Sequence, residues 1–510
     1  MTRSTAAIAP VLFALVACVG DGPISSGTDA GNDGAGDGGG TGSDAGSPPA
    51  HAAGGVALAP DTNKACSVIK ADATISRALD ESDVTDYVLY WGSNATTKIG
   101  QPITVAAKTG TDITYAFNDA ARPPNATHLL AFTKNANGEM ATGVSTSVSE
   151  LGQTVIKDIS TGVTGGAFPH AIIDETNAKI MVVAQMADGN PGLFRCTLDG
   201  VTCTFADISV TKPDSTGTAP MFAVDIPNGK LYATGTNNVS NANTAALFLC
   251  GLDGSGCVFK DVSAQASQGQ YSGSNTIPVV DKLNNKLIIA ANHPAGPAAY
   301  ICDLDGTNCA YHDIKAGRPA GYSAPIAALI DTTANKLLVP AVDNNNNYKP
   351  ALFRCDLGGT NCTWTDTSAG QGNNSALNMS ATIDTVNKKL LSVQMNGTPS
   401  LFRCDLDGAN CTWKDISAGQ LASNVSAAPG LGIDTVNQKL FVAATTTSNV
   451  RVGVFRCDLD GMNCAYFDAS PGAGTQFYVN GAWNPGMQTF HVVWQDSGNA
   501  KLNMSIVCGR

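Results

Sequence analysis

Six Cys-x6-Cys pairs, each set in a phrase close to LFRCDLDGTNC, hold the first candidates for chemistry: Cys196/Cys203, Cys250/Cys257, Cys302/Cys309, Cys355/Cys362, Cys404/Cys411 and Cys457/Cys464. Paired thiols bind metal or close on one another. Structural zinc uses tight Cys-x2-4-Cys knuckles in pairs, a spacing absent here. In C-D-L-D-G-T-N-C the Asp-Gly dipeptide marks a hairpin turn, because Gly tolerates positive φ and Asp bonds its own backbone. Counting outward from that turn, Leu faces Thr, Asp faces Asn and Cys faces Cys, and opposed residues on antiparallel strands stand close enough for a disulfide. Six short-loop disulfides are therefore expected, each contributing roughly 2 to 3 kcal/mol.

The remaining reactive residues offer less. Glutamate occurs only at Glu81, Glu139, Glu150 and Glu175. The aspartates of DLDG begin like a calcium loop, but the later acidic ligands are missing, so they read as turn residues. Two further aspartates recur: Asp174, Asp225, Asp281, Asp331, Asp384 and Asp434, with Asn484 as a seventh copy, and the D-I-S set Asp158, Asp207, Asp261, Asp313, Asp366, Asp415 and Asp468. Rings of carboxylates at a channel mouth would attract a cation, yet repetition in every unit favours bonding to turn backbones. His170 and His293 fall in or near loops of one face, the nearest approach to a shared zinc site. No Gly-x-Ser-x-Gly elbow, phosphate loop or His-Glu-x-x-His phrase occurs. The expectation is no catalytic residue, no metal and no cofactor.

First cysteines of successive pairs are 54, 52, 53, 49 and 53 residues apart, the period of a repeated supersecondary unit. One unit reads as four short strands, PHAIID, KIMVVAQ, LFRCTL and CTFADIS, separated by turn residues. Radial repetition of such units gives a propeller. The cysteine pairs number six and the D-I-S strands seven; the first D-I-S precedes every pair and the last Asp-turn element has none after it. The chain from 151 to 510 is thus expected to form an all-β, closed seven-bladed β-propeller, six complete blades plus one split between the ends. Residues 153–160 supply its outer strand and 476–508 the inner three, which removes an exposed sheet edge.

Residues 56–150 alternate apolar and polar positions in short runs, DATISRAL, DYVLYWG, ITYAFN and THLLAFTK, as a small β-sandwich does. TDYVLYWG followed by THLLAFTKNANGE resembles bacterial fibronectin type III-like modules, which implies a spacer or interaction domain. Tyr87, Tyr90 and Trp91 read as core packing there rather than as a sugar-stacking set.

Arg3, an apolar stretch from Ala6 to Ala17 and then Leu15-Val16-Ala17-Cys18 resemble a bacterial lipoprotein signal with its lipobox, residues 1–17 being the signal peptide. The resemblance implies cleavage before Cys18, lipidation of that thiol, and anchoring at the bacterial outer membrane, facing the periplasm or the cell surface. The apolar run is too short to span a bilayer, and an oxidising compartment agrees with the disulfides. From the lipidated Cys18 through 55 the chain is almost pure Gly, Ala, Ser and Asp, a flexible tether. Apart from the six pairs and Cys18, Cys66 and Cys508 remain, and a bridge between them is expected. The net charge of -12 argues against nucleic-acid binding.

The repeat also resembles two known propeller families. DGANCTW, Asp407 to Trp413, is similar to the Asp-box of sialidase-type propellers with one residue too many. The R-x-x-L-D-G phrase at Arg354–Gly359, Arg403–Gly408 and Arg456–Gly461 resembles low-density-lipoprotein-receptor class B repeats, the first with Gly358 for Asp and without that family's Tyr-Trp-Thr-Asp signature. The Asp-box likeness implies a structural hairpin only, and the class B likeness implies a propeller and extracytoplasmic display. Recognition is then expected on the face formed by the loops between second and third strands and between blades, TNNVSNANTAA, VDNNNNYKPA, SAQASQGQYSGSN and SAGQGNNSALN, with Tyr271, Tyr322 and Tyr348 as the ligand-facing aromatics. The function read from this is a membrane-anchored binding lipoprotein whose propeller recognises an envelope protein or glycan. The alternatives are an envelope assembly scaffold, or a glycan-active hydrolase or lyase, which would require carboxylates or a His-carboxylate pair converging in a pocket.

Overall fold

The computed structural model describes residues 46–59, 68–123, 126–148, 156–209, 212, 215–239, 243–269, 272–319, 323–371, 379–396, 398–419, 429–446, 451–470, 476–496, 498 and 500–508. Cys18, Cys66, Tyr271 and Tyr322 lie outside the described residues.

The first described part is a β-sandwich. One sheet holds Gly55–Leu58, Asp72–Ser76 and Ile113–Ala116; the other holds Asp86–Gly92, Lys98–Ala107, His128–Asn135 and Val144–Ser147. Alternation along these strands sends Ile75, Tyr87, Leu89, Trp91, Leu129 and Ala131 into one shared core, so burial accounts for Tyr87 and Trp91, as it does for Tyr90. The expected tether runs to Gly55, but residues 49–54 pack on the sandwich instead. Ala53 is buried, Gly54 N–H bonds Ser76 O, and Thr133 Oγ1 donates to the carbonyl of His51.

Seven antiparallel sheets follow, each four strands in sequence order, with the inner strand of the fourth in two pieces. In blade 1 the strands are Gly165–Asp174, Lys179–Met186, Pro191–Thr197 and Cys203–Asp207. The last sheet joins the chain ends: Gln476–Asn484, Thr489–Asp496 and Lys501–Cys508 are completed by Lys157–Asp158, with Lys157 opposite Met504 and Asp158 opposite Asn503. The fold is a β-propeller. Inner strands touch from blade to blade all the way round, including Gly165–Asp174 of blade 1 against Gln476–Asn484 of blade 7.

Each blade is apolar on both faces, and core clusters fill all seven interfaces, the one between blades 4 and 5 having a second small cluster of Val342 and Met379. Blades 7 and 1 meet through Ile159, Val182, Phe194, Val493 and Met504, and blades 6 and 7 through Phe441, Val454, Phe490 and Trp494. Five further clusters join the other neighbours in turn.

All six expected cysteine pairs are closed disulfides: Cys196–Cys203, Cys250–Cys257, Cys302–Cys309, Cys355–Cys362, Cys404–Cys411 and Cys457–Cys464, with Cα atoms 4.0 to 4.1 Å apart. Cys508 is also disulfide-bonded. The strand placement of the second cysteine differs from the sequence reading in five of the six. Cys203 opens the fourth strand of blade 1 and pairs with Cys196 in the ladder. Cys257, Cys309, Cys362, Cys411 and Cys464 each stand one residue before the fourth strand, which begins at Val258, Ala310, Thr363, Thr412 and Ala465. In those blades the disulfide continues the register one step past the last ladder pair, Leu249 with Val258 in blade 2, and so clamps the end of the hairpin where backbone pairing stops.

The physical reason is a turn that differs from the symmetric count made from the sequence. In blades 2 to 6 the loop is one residue longer, with Asp303 N–H bonded to Thr307 O and Gly306 N–H to Asp303 O in blade 3. The extra residue is recovered at the next position, where Gly256, Asn308, Asn361, Asn410 and Asn463 take φ of 49° to 60° as a bulge just before the second cysteine. Asn and Gly tolerate that conformation. The two offsets cancel, so Cys still meets Cys. Blade 1 has Thr202 at the bulge position, a β-branched residue unsuited to positive φ, and there Thr197 simply bonds across to Thr202.

The bulge residue also explains the first Asp of the motif. Asp303, Asp356, Asp405 and Asp458 each accept from the Asn of the bulge and from the lysine that opens the second strand, Lys286, Lys336, Lys389 and Lys439. These contacts hold the four carboxyls below the usual carboxylate range. The two other aspartate sets likewise serve turns. Asp174, Asp225, Asp281, Asp384 and Asp434 are buried and each accepts from the Asn side chain three residues on. The D-I-S aspartates accept a backbone N–H two or three residues on.

The turn glycine does more than turn. A Cβ on Gly359 would stand 2.7 Å from His312 Cβ in the preceding blade, and one on Gly408 2.9 Å from Thr365 Cβ. Each of these disulfide hairpins is thus seated on the outer strand of its neighbour. Gly359→Ala, at φ +71°, should cost about 2–4 kcal/mol, against about 1–2 for Gly370→Ala, where φ is +75° but nothing lies within 4 Å. Chemical unfolding of the two variants measures the difference, and equal losses would show that the tip makes no inter-blade contact.

Fully buried His491 in blade 7 sits 2.9 Å from Thr489 Oγ1 through Nε2, while its Nδ1 has no partner among the described residues. Burial pulls its pKa from 6.5 to about 4, so it is neutral when folded, and on acidification the unfolded chain takes up the proton first. Its contribution is complete above pH 6.5 and is lost as pH falls towards 4, by about 3 kcal/mol. Unfolding midpoints at pH 7.5 and 4.5 should therefore converge in His491→Gln relative to the parent protein.

Candidate functional site

Proline recurs near the start of the inner strands, as Pro169, Pro220, Pro278 and Pro325. Proline cannot donate to a ladder and belongs on an edge or at a bulge. The inner strand is such an edge, since nothing in its own sheet pairs with its axial side. Four inner strands are bulged here, with register shifts in blades 1, 2, 3 and 7. At each bulge a non-glycine residue is left-handed: Phe168 at φ +49°, Ala219 at +48°, Asn275 at +49° and Tyr478 at +49°. In blade 4 the inner strand is instead interrupted between Pro325 and Leu329.

These irregularities surround a pocket of about 400 Å³. Its walls are Phe168, Pro169 and His170 of blade 1, Ala219, Pro220 and Met221 of blade 2, Asn275 and Ile277 of blade 3, Ala324, Pro325, Ile326, Val342 and Asn344 of blade 4, Met379 and Ser380 of blade 5, and Asn480 of blade 7. A single pocket that touches six blades lies on the propeller axis. It opens at the end where inner strands begin, which is also where the loops between second and third strands and between blades emerge. Blade 6 contributes no wall. A Cβ on Gly430 there would lie 2.0 Å from Gly481 N, so the inner strands of blades 6 and 7 are packed backbone to backbone.

The walls are fixed by bonds between blades. Asn480 Oδ1 accepts from Ala171 N–H at 3.1 Å, and Gln185 Oε1 accepts from Ala219 N–H at 2.9 Å. The rings of Phe168 and Tyr478, on the bulges of adjacent blades, stand 4.1 Å apart. His170 meets the edge of Phe222 at 5.3 Å, and its Nδ1 is buried with no partner among the described residues. Burial pulls the His170 pKa to about 4, so the ring is neutral at pH 7. Asp343, next to the walls, is buried but paired with Arg318 at 3.0 Å, whose guanidinium lies over Trp364. Among the described residues no carboxylate, lysine or arginine lines the pocket.

Of the expected ligand-facing tyrosines, only Tyr348 is described. It sits 44% exposed in the loop after the second strand of blade 4, next to Asn347, both at positive φ, and it is not a pocket wall. Among the described walls the aromatic carbocycle is Phe168. His170 and His293 are on blades 1 and 3 and do not meet; His293 Nδ1 accepts from Ala295 N–H and its ring lies beside Tyr311. Among the described residues no group of three His, Cys, Asp or Glu side chains is placed to hold a metal. Of the pocket walls only His170 was singled out from the sequence, and prolines inside strand-like runs were the signal for the others.

No protein-family model matches the chain, and no curated protein matches it. Solved structures do. A protein of unknown function from Bacteroides thetaiotaomicron is 12% identical with a TM-score of 0.39, over 89% of this chain and 98% of that one. An auxiliary nutrient binding protein from the same organism is 10% identical with a TM-score of 0.40, over 88% and 97%. The WD40 repeats of RRP9 are 8% identical with a TM-score of 0.43, over 69% and 97%. At such identities and scores these likenesses carry no functional argument. What the sheets and pocket define is a β-propeller with an axial pocket on its loop-bearing end.

Left-handed alanine costs about 1–2 kcal/mol, while glycine's greater freedom when unfolded costs about 0.5–1. Ala219→Gly should thus leave stability unchanged or raise it slightly. A loss beyond about 1 kcal/mol in chemical unfolding would mean that the bulge at Ala219 is unstrained.

Proposed function

We propose that this protein is an extracytoplasmic binding protein, held at the outer membrane by a lipid on Cys18, whose propeller recognises its ligand on the loop-bearing face. One observation carries this reading: a walled pocket lies at the centre of that face, built from six blades. Three left-handed residues on adjacent inner strands, Phe168, Ala219 and Asn275, form part of its wall, and backbone strain of this kind persists at ligand sites. The ligand is an envelope protein or glycan, and the sandwich, read as a fibronectin type III-like module, serves as its spacer.

The test is in-cell photo-crosslinking of the full-length protein with a diazirine amino acid, which inserts into protein or sugar alike. Placed at Asn344 or Ser380 it should capture a discrete partner; placed at Val386, a residue 59% exposed at the opposite end of blade 5, it should not. Capture at Val386 with none at the pocket rim overturns the reading. The anchor is tested separately, since Cys18→Ser should abolish labelling by an alkyne fatty acid and release the protein from the membrane fraction.

A further inference from the structure

The pocket's chemistry narrows what can occupy it. Of its sixteen described wall residues, eleven are apolar or proline, five are polar and none is charged. An ionised group moved into such a space would be desolvated without a partner. Asp343 and Arg318, the nearest charges described above, are already spent on each other. A free sugar fits poorly too, because it carries a hydroxyl on almost every carbon. Most of those would face Pro220, Met221, Ile277, Ile326 and Met379 and lose their hydrogen bonds to water.

The polar groups nonetheless have a direction. His170, as a neutral imidazole, keeps one donor and one acceptor nitrogen, and since Nδ1 is shut off inside the wall the edge it offers an occupant is Nε2. Asn480 already uses its Oδ1 on Ala171, which fixes the amide. Across the pocket, Met221 and Met379 are unbranched and adaptable, side chains suited to apolar bodies of varied outline. The volume of about 400 Å³ lies within the range of small-molecule sites.

Resting on the reading that the loop-bearing face is the binding face, we propose that the axial pocket binds a small, uncharged, mainly apolar molecule with one hydrogen-bonding edge turned to His170 and Asn480. A protein or glycan partner would meet the surrounding loops, and this molecule would sit beneath it.

N-phenyl-1-naphthylamine, neutral and apolar with a single N–H, is a direct probe, and 8-anilino-1-naphthalenesulfonate has the same ring skeleton with an anionic group added. Fluorescence titration of the full-length protein should give saturable one-to-one binding of the neutral dye and at least about tenfold weaker binding of the sulfonate. Met221→Lys should weaken the neutral dye by about tenfold or more, Met379→Leu by less than about threefold, and Met487→Lys, at the opposite end of the propeller, not at all. A photoreactive neutral aryl diazirine provides a readout that needs no variant: it should label peptides containing 219–221, 324–326 or 379–380, in competition with the dye. Equal binding of the sulfonate, labelling elsewhere, or no saturable binding overturns the proposal. Dye binding in the pocket together with partner capture only at Val386 would instead overturn the reading of the face and leave the pocket's ligand class standing.

Discussion

A four-stranded blade with two apolar faces cannot bury either one alone, and every other property of this propeller follows from meeting that constraint in a ring. Clusters fill all seven interfaces, and the last of them, between blades 7 and 1, brings Ile159 from before the repeats against Val493 and Met504 from their end. Were the chain to stop short of that seam, two large apolar faces would be left to water. Pairing Lys157–Asp158 with Lys501–Cys508 closes the ring in the direction of the hydrogen bonds as well. Closure also makes the axis. Inner strands forced together around one line leave space only where their backbones depart from regular pleating.

The disulfide hairpins belong to the same constraint. Their first cysteines are buried in the interfaces between blades, Cys196 beside Phe194 and Val493, Cys302 beside Leu247 and Leu287, and the glycine at the tip rests on the blade before it, as Gly359 and Gly408 do. A disulfide here shortens the unfolded chain locally and also fixes the shape of a surface that the neighbouring blade must match. This explains why the hairpin carries so much fixed sequence. The Asp, Asn and Lys of the motif set the bulge, the Gly sets the tip, and the two Cys lock both against the adjoining core.

Much of this was legible from the residues because it is repeated. The period, the four strands, the split blade and the pairing of Cys with Cys all show as positions that recur, and repetition lifts a weak local signal above ambiguity. The hairpin register shows where that reasoning ends. A symmetric count from Asp-Gly placed Cys opposite Cys correctly, but in blades 2 to 6 it did so only because a longer loop and a bulge at Asn308 and its counterparts offset one another. That bulge leaves Cys309 and its equivalents just outside the fourth strand, which the count from the turn placed inside it. The pocket was illegible for a related reason. Phe168, Ala219 and Asn275 stand at the bulges of successive blades yet differ in type, and what joins them and Asn480 is contact across blades some 50 or 300 residues apart in sequence.

Strain at the pocket rim is best understood as a by-product of closure that the site exploits. A regular inner strand would carry its side chains along the axis in an even ladder and fill it. Turning one residue left-handed in blades 1, 2, 3 and 7 withdraws the strand there, and the bonds from Gln185 to Ala219 and from Asn480 to Ala171 hold the withdrawn backbone to the neighbouring blade. Those bonds run between blades, so the strained residues are held by the same interfaces that close the ring. The pocket is therefore as rigid as the ring itself. A rigid cavity loses little entropy when it fills, and that favours a ligand whose shape and polarity already match over one that must reorganise the site.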